Sequence, residues 1–337
     1  MKKDSNKMPP QSAKRILGVT NQLVEAQLVY IAIRLEVFSH LSNAKTSIQF
    51  AEETGYDKRN SELLLNALTS ADYLIKKDDK YENASDVELY LNKNSEYYLG
   101  EYMLFWYKIK DLYNVESFVR LGPTYSSFND SLGSDSYDFR KMAEVAVNQF
   151  YSGRVQTFLS AIKENTDFNK STIKALDLGG GCGVLGIELA KNFPSVKAII
   201  YDQKEILTVA DDVIAQNNIL NQVKTHAGNF ITDDIGSGYD LIIASGVLDF
   251  CGDVEKMCRK IYNAMNSGGY FYVDTHQIND DYTAPSQCII GWLASHMDGL
   301  DILKSDNIIT NAIKHAGFLE LINSENLINP YYLFKKK

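Results

Sequence analysis

From Ile173 onward, short apolar stretches alternate with amphipathic ones in the order strand, helix, strand, helix, the signature of a doubly wound α/β sheet. The pattern predicts strands near 173–178, 197–201, 222–226, 239–244 and 269–274, with late strands near 318–322 and 331–335. The first half of the chain reads differently. Residues 16 to 42 form one or two helices whose Leu23, Ala26, Leu28, Ile31, Leu35 and Phe38 are too numerous for one stripe, so this region wants a second surface to pack against. Thr46 to Gly55 is a short helix with a capping residue at its start and a glycine at its close, and Asn60 to Leu68 is another helix. Tyr73 to Glu82 reads as a hairpin with a polar tip. Three helices and a hairpin make a winged-helix pattern. Between about 97 and 158 aromatic residues are dense, Trp106, Phe128, Phe150 and Tyr151 among them. Most are expected in the core, leaving a few to line a pocket for a flat apolar molecule.

Length changes the picture by asking for more than one domain. A chain of 337 residues with 45% hydrophobic content can bury a core in each of two. The expected organisation is a winged-helix-like dimerisation domain over 1–105, a helical linker contributing to a substrate pocket over 106–170, and an α/β domain over 171–337. Net charge of −9 and an isoelectric point near 5.2 speak against nucleic acid as a partner, because binding phosphates needs clustered Lys and Arg. The winged-helix segment itself holds 13 Lys and Arg against 15 Asp and Glu up to residue 105, and no basic residue lies between Asn60 and Ser70. Packing or dimerisation therefore suits it better than reading DNA. Met1 to Lys7 is charged and lacks an apolar signal core, and no later run is expected to be long enough to span a bilayer. A cytoplasmic protein with no membrane partner follows as the expectation. Cys182, Cys251, Cys258 and Cys288 show no zinc spacing, and the five histidines are scattered, so no metal site is expected. Cys251 and Cys258, seven apart, can share a helix face as buried apolar residues.

The candidate chemistry lies in Ala175 to Gly183, an apolar strand ending in Asp177-Leu178-Gly179-Gly180-Gly181-Cys182-Gly183 and turning into a helix over Val184 to Asn192. Missing Cβ atoms let a backbone turn approach a ligand closely. Asp202 closes the next apolar stretch, 19 residues past Gly183, where a carboxylate can accept both hydroxyl protons of a ribose. Gly181 to Gly186 also satisfies the dinucleotide pattern G-x-G-x-x-G. Asp177 decides between the two cofactors: its carboxylate would repel a pyrophosphate but can sit near the cationic amino-acid end of S-adenosylmethionine, directly or through water. S-adenosylmethionine is favoured over NAD. After the third strand, Asn229 can face an adenine amino group and Phe230 its ring.

Taken in order, these residues resemble the S-adenosylmethionine-dependent O-methyltransferases of the plant phenolic, acetylserotonin and bacterial antibiotic-tailoring type. The resemblance spans nearly the whole chain. It rests on the winged-helix module, the Asp177 to Gly183 turn, Asp202, Gly228-Asn229-Phe230, Tyr239-Asp240-Leu241-Ile242-Ile243, Ala264 to Gly269, and Ala316-Gly317-Phe318. It implies a Rossmann-like class I methyltransferase domain preceded by a mainly helical dimerisation domain. It also implies a homodimer, S-adenosylmethionine as cofactor with S-adenosylhomocysteine as product, and a small aromatic or polyketide-like substrate. Asp177, Gly179, Gly181, Gly183, Asp202, Asn229, Phe230 and Ser245 are the implied cofactor-binding residues.

Two departures stand out. Asn229 replaces the usual aspartate of Gly-Asp-Phe, although its amide oxygen can still accept a hydrogen bond. Ser245 to Asp253 contains no histidine where many family members carry Leu-His-Asp-Trp. A sulfonium methyl is already activated, so positioning rather than a histidine base is the expected mechanism, with Asp249, His276 and His296 as candidate replacements. Two other readings stay open: a cofactor-binding relative with non-methylating chemistry, and a winged-helix regulator that senses a metabolite.

Overall fold

The computed structural model describes residues 11–109, 112–123, 138–168, 172–324 and 329–337. The charged stretch Met1 to Lys7 and Phe128 lie outside the described residues. The chain divides into two compact units, Met1–Leu104 and Phe105–Lys337.

In the first unit, helix Lys14–Arg34 is followed by Val37–His40, Ser47–Thr54 and Lys58–Ser70. Thr46 caps the third of these: its hydroxyl accepts from the Gln49 N–H while Gln49 bonds back to the Thr46 N–H, and Gly55 ends it in the left-handed conformation. Helix Lys58–Ser70 is capped by Asp57 and starts two residues before the predicted Asn60, so it includes Lys58 and Arg59 in its first turn. Strands β1 (Lys45–Thr46), β2 (Leu74–Lys77) and β3 (Lys80–Asn83) form an antiparallel sheet in the order β1-β3-β2. Phe38, Leu41, Phe50, Leu65, Leu68 and Tyr81 bury completely beneath it.

Lys14–Arg34 departs from expectation. At 21 residues it is long and apolar enough, by length and composition alone, to cross a membrane, which corrects the reading that no run reaches that length. The polar letters that interrupt it are mostly uncharged Thr, Asn and Gln, and Glu25 is the only charge between Arg15 and Arg34. Ile16, Leu17, Val19, Leu23 and Val24 are exposed along it.

The second unit is built on a seven-stranded sheet of β4 (Ile173–Leu178), β5 (Val196–Asp202), β6 (Val223–Ala227), β7 (Tyr239–Ser245), β8 (Met265–Asp274), β9 (Phe318–Asn323) and β10 (Tyr332–Lys336). Their order is β6-β5-β4-β7-β8-β10-β9. The first five are parallel and β10 runs antiparallel to both its neighbours. This is a doubly wound α/β sheet with an antiparallel hairpin on one edge. Strand β8 begins four residues before the predicted start. Asn266 explains this: its amide donates to the Gly238 carbonyl and the Asp240 carboxylate, holding Met265 against Tyr239 before the register shifts. Apolar side chains cover both faces of the sheet, Ile187, Ala210 and Ile200 on one and Leu176, Ile242, Cys258 and Ile313 on the other. Cys251 lies in the turn before helix Val254–Ala264 rather than on it, so the two cysteines share a core but not a helix.

Strand order reverses between β4 and β7, whose connections leave on opposite faces, so a crevice opens outside the carboxyl ends of the strands at that point. The glycine turn follows β4, Asp202 ends β5, Ser245 ends β7 and Asp274 ends β8.

Candidate active site

Asp177, Asp202 and the three left-handed glycines are organised as one unit. Gly179, Gly181 and Gly183 have φ of 63°, 56° and 73°, a conformation that side chains with Cβ rarely adopt. The Gly181 N–H donates to Asp202 Oδ2 at 2.8 Å, and the Gln203 N–H donates to Asp202 Oδ1 at 2.7 Å. Burial nevertheless raises the Asp202 carboxyl above its usual range, against those two bonds. Asp177 turns inward beneath the turn and is 2% exposed; the Gly186 N–H donates to its Oδ2 at 3.0 Å. Burial pushes Asp177 up to about 7, which the Gly186 bond opposes and the charges of Asp202 and Asp274 reinforce.

Open space at Gly181, where an added Cβ would meet nothing nearer than Ala143 at 3.8 Å, shows that its glycine serves the backbone angle. Gly179 and Gly183 are packed instead: an added Cβ would stand 2.7 Å from Val247 Cγ2 at the first and 2.3 Å from Ile200 Cδ1 at the second. Phe230 is buried, with its ring edge beside Gly179. Asn229 accepts the Ile231 N–H on Oδ1 at 2.9 Å, and its own N–H donates to Asp233 Oδ2 at 2.9 Å. Its amide oxygen retains a second lone pair for a ligand.

Ser245 donates to Asp274 Oδ2 at 2.7 Å, its register partner across β7 and β8. Arg154, which the sequence reading missed, approaches the same hydroxyl with Nη1 at 3.4 Å and lays its guanidinium on the Phe150 ring at 4.9 Å. It is half-buried and has no carboxylate partner among the described residues. Arg154 reaches this place because Gly153, with φ of 130°, breaks the long helical pattern between Phe139–Gln149 and Val155–Asn165. The isolated glycine followed by a cation inside a helical period was the available signal.

Of the three candidate replacements for the absent histidine, the structure brings two together. Asp249 is fully buried, and His276 lies two residues past Asp274 with Nδ1 at 3.3 Å from Asp249 Oδ1. Asp249 does not cap the following helix; Asp253 does, accepting the Lys256 N–H. His296 lies in Leu293–Met297 and its Nδ1 bonds the Leu300 carbonyl at 2.9 Å, closing its own turn. Around His276 stand Phe250 and Trp292, with Trp106 edge-on to Trp292 at 5.3 Å.

A doubly wound sheet with a glycine turn at its switch point and an acidic residue ending the next strand defines a nucleoside-cofactor-binding enzyme of the Rossmann-like class. The O-methyltransferase domain family matches residues 113–286, just over half the chain. The chain belongs to that family and is an S-adenosylmethionine-dependent O-methyltransferase. It is 28% identical over 274 residues to an uncharacterised protein of Methanocaldococcus jannaschii, covering 79% of this chain and 71% of that one. It is 23% identical to the 3-hydroxy-5-methyl-1-naphthoate 3-O-methyltransferase of Streptomyces sahachiroi, over 78% of this chain and 77% of that enzyme. Human N-acetylserotonin methyltransferase, solved with S-adenosylmethionine, shares the fold with a TM-score of 0.75 at 19% identity, over 99% of each chain.

Proposed function

We propose that this protein transfers a methyl group to a hydroxyl of a small aromatic or polyketide-like molecule, working in the cytoplasm as a homodimer. The observation that carries the reading is the paired use of Gly181 and Asp202, which presents a carboxylate and an open backbone turn to one ligand. When bound, S-adenosylmethionine supplies a methyl carbon already activated by sulfonium charge. Asp202 has lone pairs left for the ribose hydroxyls, and Asn229 and Phe230 would flank the adenine. Arg154 and Ser245 would hold the methionine end, the guanidinium suited to its carboxylate. Asp177 acts on that end indirectly, by holding Gly186 and the start of helix Val184–Asn192.

Positioning supplies most of the rate. Holding a nucleophile in line is worth an effective molarity on the order of 10⁵ M or more, against roughly 10²-fold to 10⁴-fold for a general base. The first unit serves as the dimerisation domain, because Lys14–Arg34 leaves Ile16, Leu17, Val19, Leu23 and Val24 exposed together, apolar surface that a second copy would cover. Described aromatic residues within 106–170, Trp106 and Phe150 among them, are offered to the substrate. Titration calorimetry with S-adenosylmethionine and S-adenosylhomocysteine, followed by a screen of hydroxylated naphthoates and phenols for methylated product, tests the reading. Tight cofactor binding with no methylated acceptor would favour the non-methylating alternative, which the histidine-free loop 245–253 keeps in view.

A further inference from the structure

The loop after β7 lacks a histidine, yet the fold brings one in from the neighbouring strand. His276 follows β8; its Nδ1 hydrogen-bonds the Ile302 carbonyl at 3.3 Å and stands 3.3 Å from Asp249 Oδ1, a charge contact without a side-chain hydrogen bond. A carbonyl can only accept, so Nδ1 carries the proton and Nε2 presents its lone pair. Among the described residues Nε2 has no hydrogen-bond partner, and the side chain is 16% exposed.

Asp249 is locked beneath it. The backbone N–H of His276 donates to Oδ1 at 3.2 Å, so one oxygen serves both ends of the residue. Lys304, itself buried, donates to the Asp249 carbonyl at 3.0 Å and pairs with Asp301 at 3.0 Å. Burial pushes the Asp249 carboxyl up, while His276 and Lys304 act in the opposite direction and Asp274 adds to the rise. Asp249 Oδ2 and Gln277 Nε2 are both buried without a hydrogen-bond partner among the described residues. Gln277 also sits in the left-handed region with φ of 51°, a strain of the kind found next to functional groups. The ring of His276 is walled by Phe250 at 5.8 Å and Trp292 at 5.6 Å, apolar faces that suit a flat acceptor.

We propose that His276 Nε2 takes the hydroxyl proton of an aromatic acceptor, with the Ile302 carbonyl holding the required tautomer and Asp249 as the positioning residue that anchors the His276 backbone and faces the charge formed on its ring. The proposal rests on the reading of the chain as a methyltransferase to oxygen. In the step, the acceptor O–H bond breaks, its electron pair stays on oxygen as the nucleophile, and the proton forms an N–H bond on Nε2. The resulting imidazolium is balanced by the Asp249 carboxylate, as in other histidine–carboxylate pairs. Positioning still carries the larger share of the rate, and the dyad removes its dependence on an acidic substrate.

Two measurements on the full chain test this. The first compares wild type, His276→Gln and Asp249→Asn on a series of substituted hydroxynaphthalenes of graded acidity, with S-adenosylhomocysteine affinity measured for each. Expected is a loss in kcat of about a hundredfold for His276→Gln on the least acidic members, shrinking to a few-fold on nitro-substituted ones already ionised at the assay pH, with cofactor affinity unchanged. An equal loss across the series, or a loss below tenfold on all of it, overturns the assignment. The second reads the ¹⁵N shifts of the His276 ring without turnover. Expected is the Nδ1–H tautomer in wild type and in Asp249→Asn, because the Ile302 carbonyl accepts from Nδ1 in both. An Nε2–H tautomer in wild type overturns the base assignment even if the protein methylates; no methylation of any acceptor, with the expected tautomer, overturns the methyl-transfer reading and with it the base role.

Discussion

Asp202 Oδ2 accepts the N–H of Gly181 at 2.8 Å, so the residue that ends β5 fixes the apex of the turn that follows β4. Two loops from adjacent strands are thereby held as one surface. Asp202→Ala removes both that anchor and the carboxylate offered to a ribose, and is expected to weaken S-adenosylmethionine binding by about 2 kcal/mol, roughly thirtyfold. Titration calorimetry measures it; unchanged affinity would remove Asp202 from the site, and tight NAD binding by wild type would reverse the cofactor choice.

Glycines of the turn differ in what they tolerate. Gly181→Ala adds a methyl to open space and pays only the left-handed backbone cost of roughly 1 kcal/mol, whereas Gly183→Ala adds that cost to a collision with Ile200. Chemical denaturation should show Gly183→Ala as the more destabilised by at least about 1 kcal/mol. Equal effects would mean that β5 and the turn yield more easily than their packing implies.

Arg154 should matter to only part of the cofactor. Arg154→Ala is expected to lower S-adenosylhomocysteine affinity about tenfold to a hundredfold by losing a charge-assisted contact, yet to leave 5′-methylthioadenosine, which has no amino-acid end, bound as before. Parallel titrations decide it, and equal losses for both ligands would assign Arg154 a structural role.

Stability should carry the mark of Asp177. Its carboxyl is raised from an ordinary 3.8 to about 7 by burial, so between those values the folded chain keeps a proton that the unfolded chain has released. Stability therefore falls as pH rises from about 4 to 7 and levels off above, by on the order of 4 kcal/mol from this residue. Asp202 and Asp249 are raised by burial too and slope in the same direction, so the comparison must be with a variant. Asp177→Asn keeps an acceptor for the Gly186 N–H and should flatten the decline in unfolding free energy; an unchanged slope would show that Asp177 is ionised at low pH in the folded chain.

Assembly is testable through the exposed side of Lys14–Arg34. Light scattering should report a dimer at micromolar concentration, and Leu23→Asp, which puts a charge on the apolar face, should shift it to monomer. A wild-type monomer would sink the dimer, and specific DNA binding by the first unit would favour a regulator.

How much was legible beforehand varies by residue. Strand β4 and helix Val184–Asn192 fall where the sequence places them, because strong apolar periodicity and glycine punctuation are local signals. Strand β8 starts at Met265, four residues ahead of where the periodicity puts it, since Asn266 is held by Gly238 and Asp240, a contact without local trace. Arg154 was overlooked because nothing near it in sequence shows that Ser245, 91 residues away, is its neighbour.

The sequence by itself determined the alternation of strands and helices, the glycine turn with its two acidic residues, and the absence of histidine after β7. Each is a property of residues close together in the chain, where backbone geometry and side-chain type act directly. Only the tertiary structure decided that Asp177 is buried beneath the turn and bonded to Gly186, and that His276 meets Asp249 while His296 closes its own turn. Those outcomes depend on which strands become neighbours and how far each side chain is removed from water, and both are set by packing of the whole sheet.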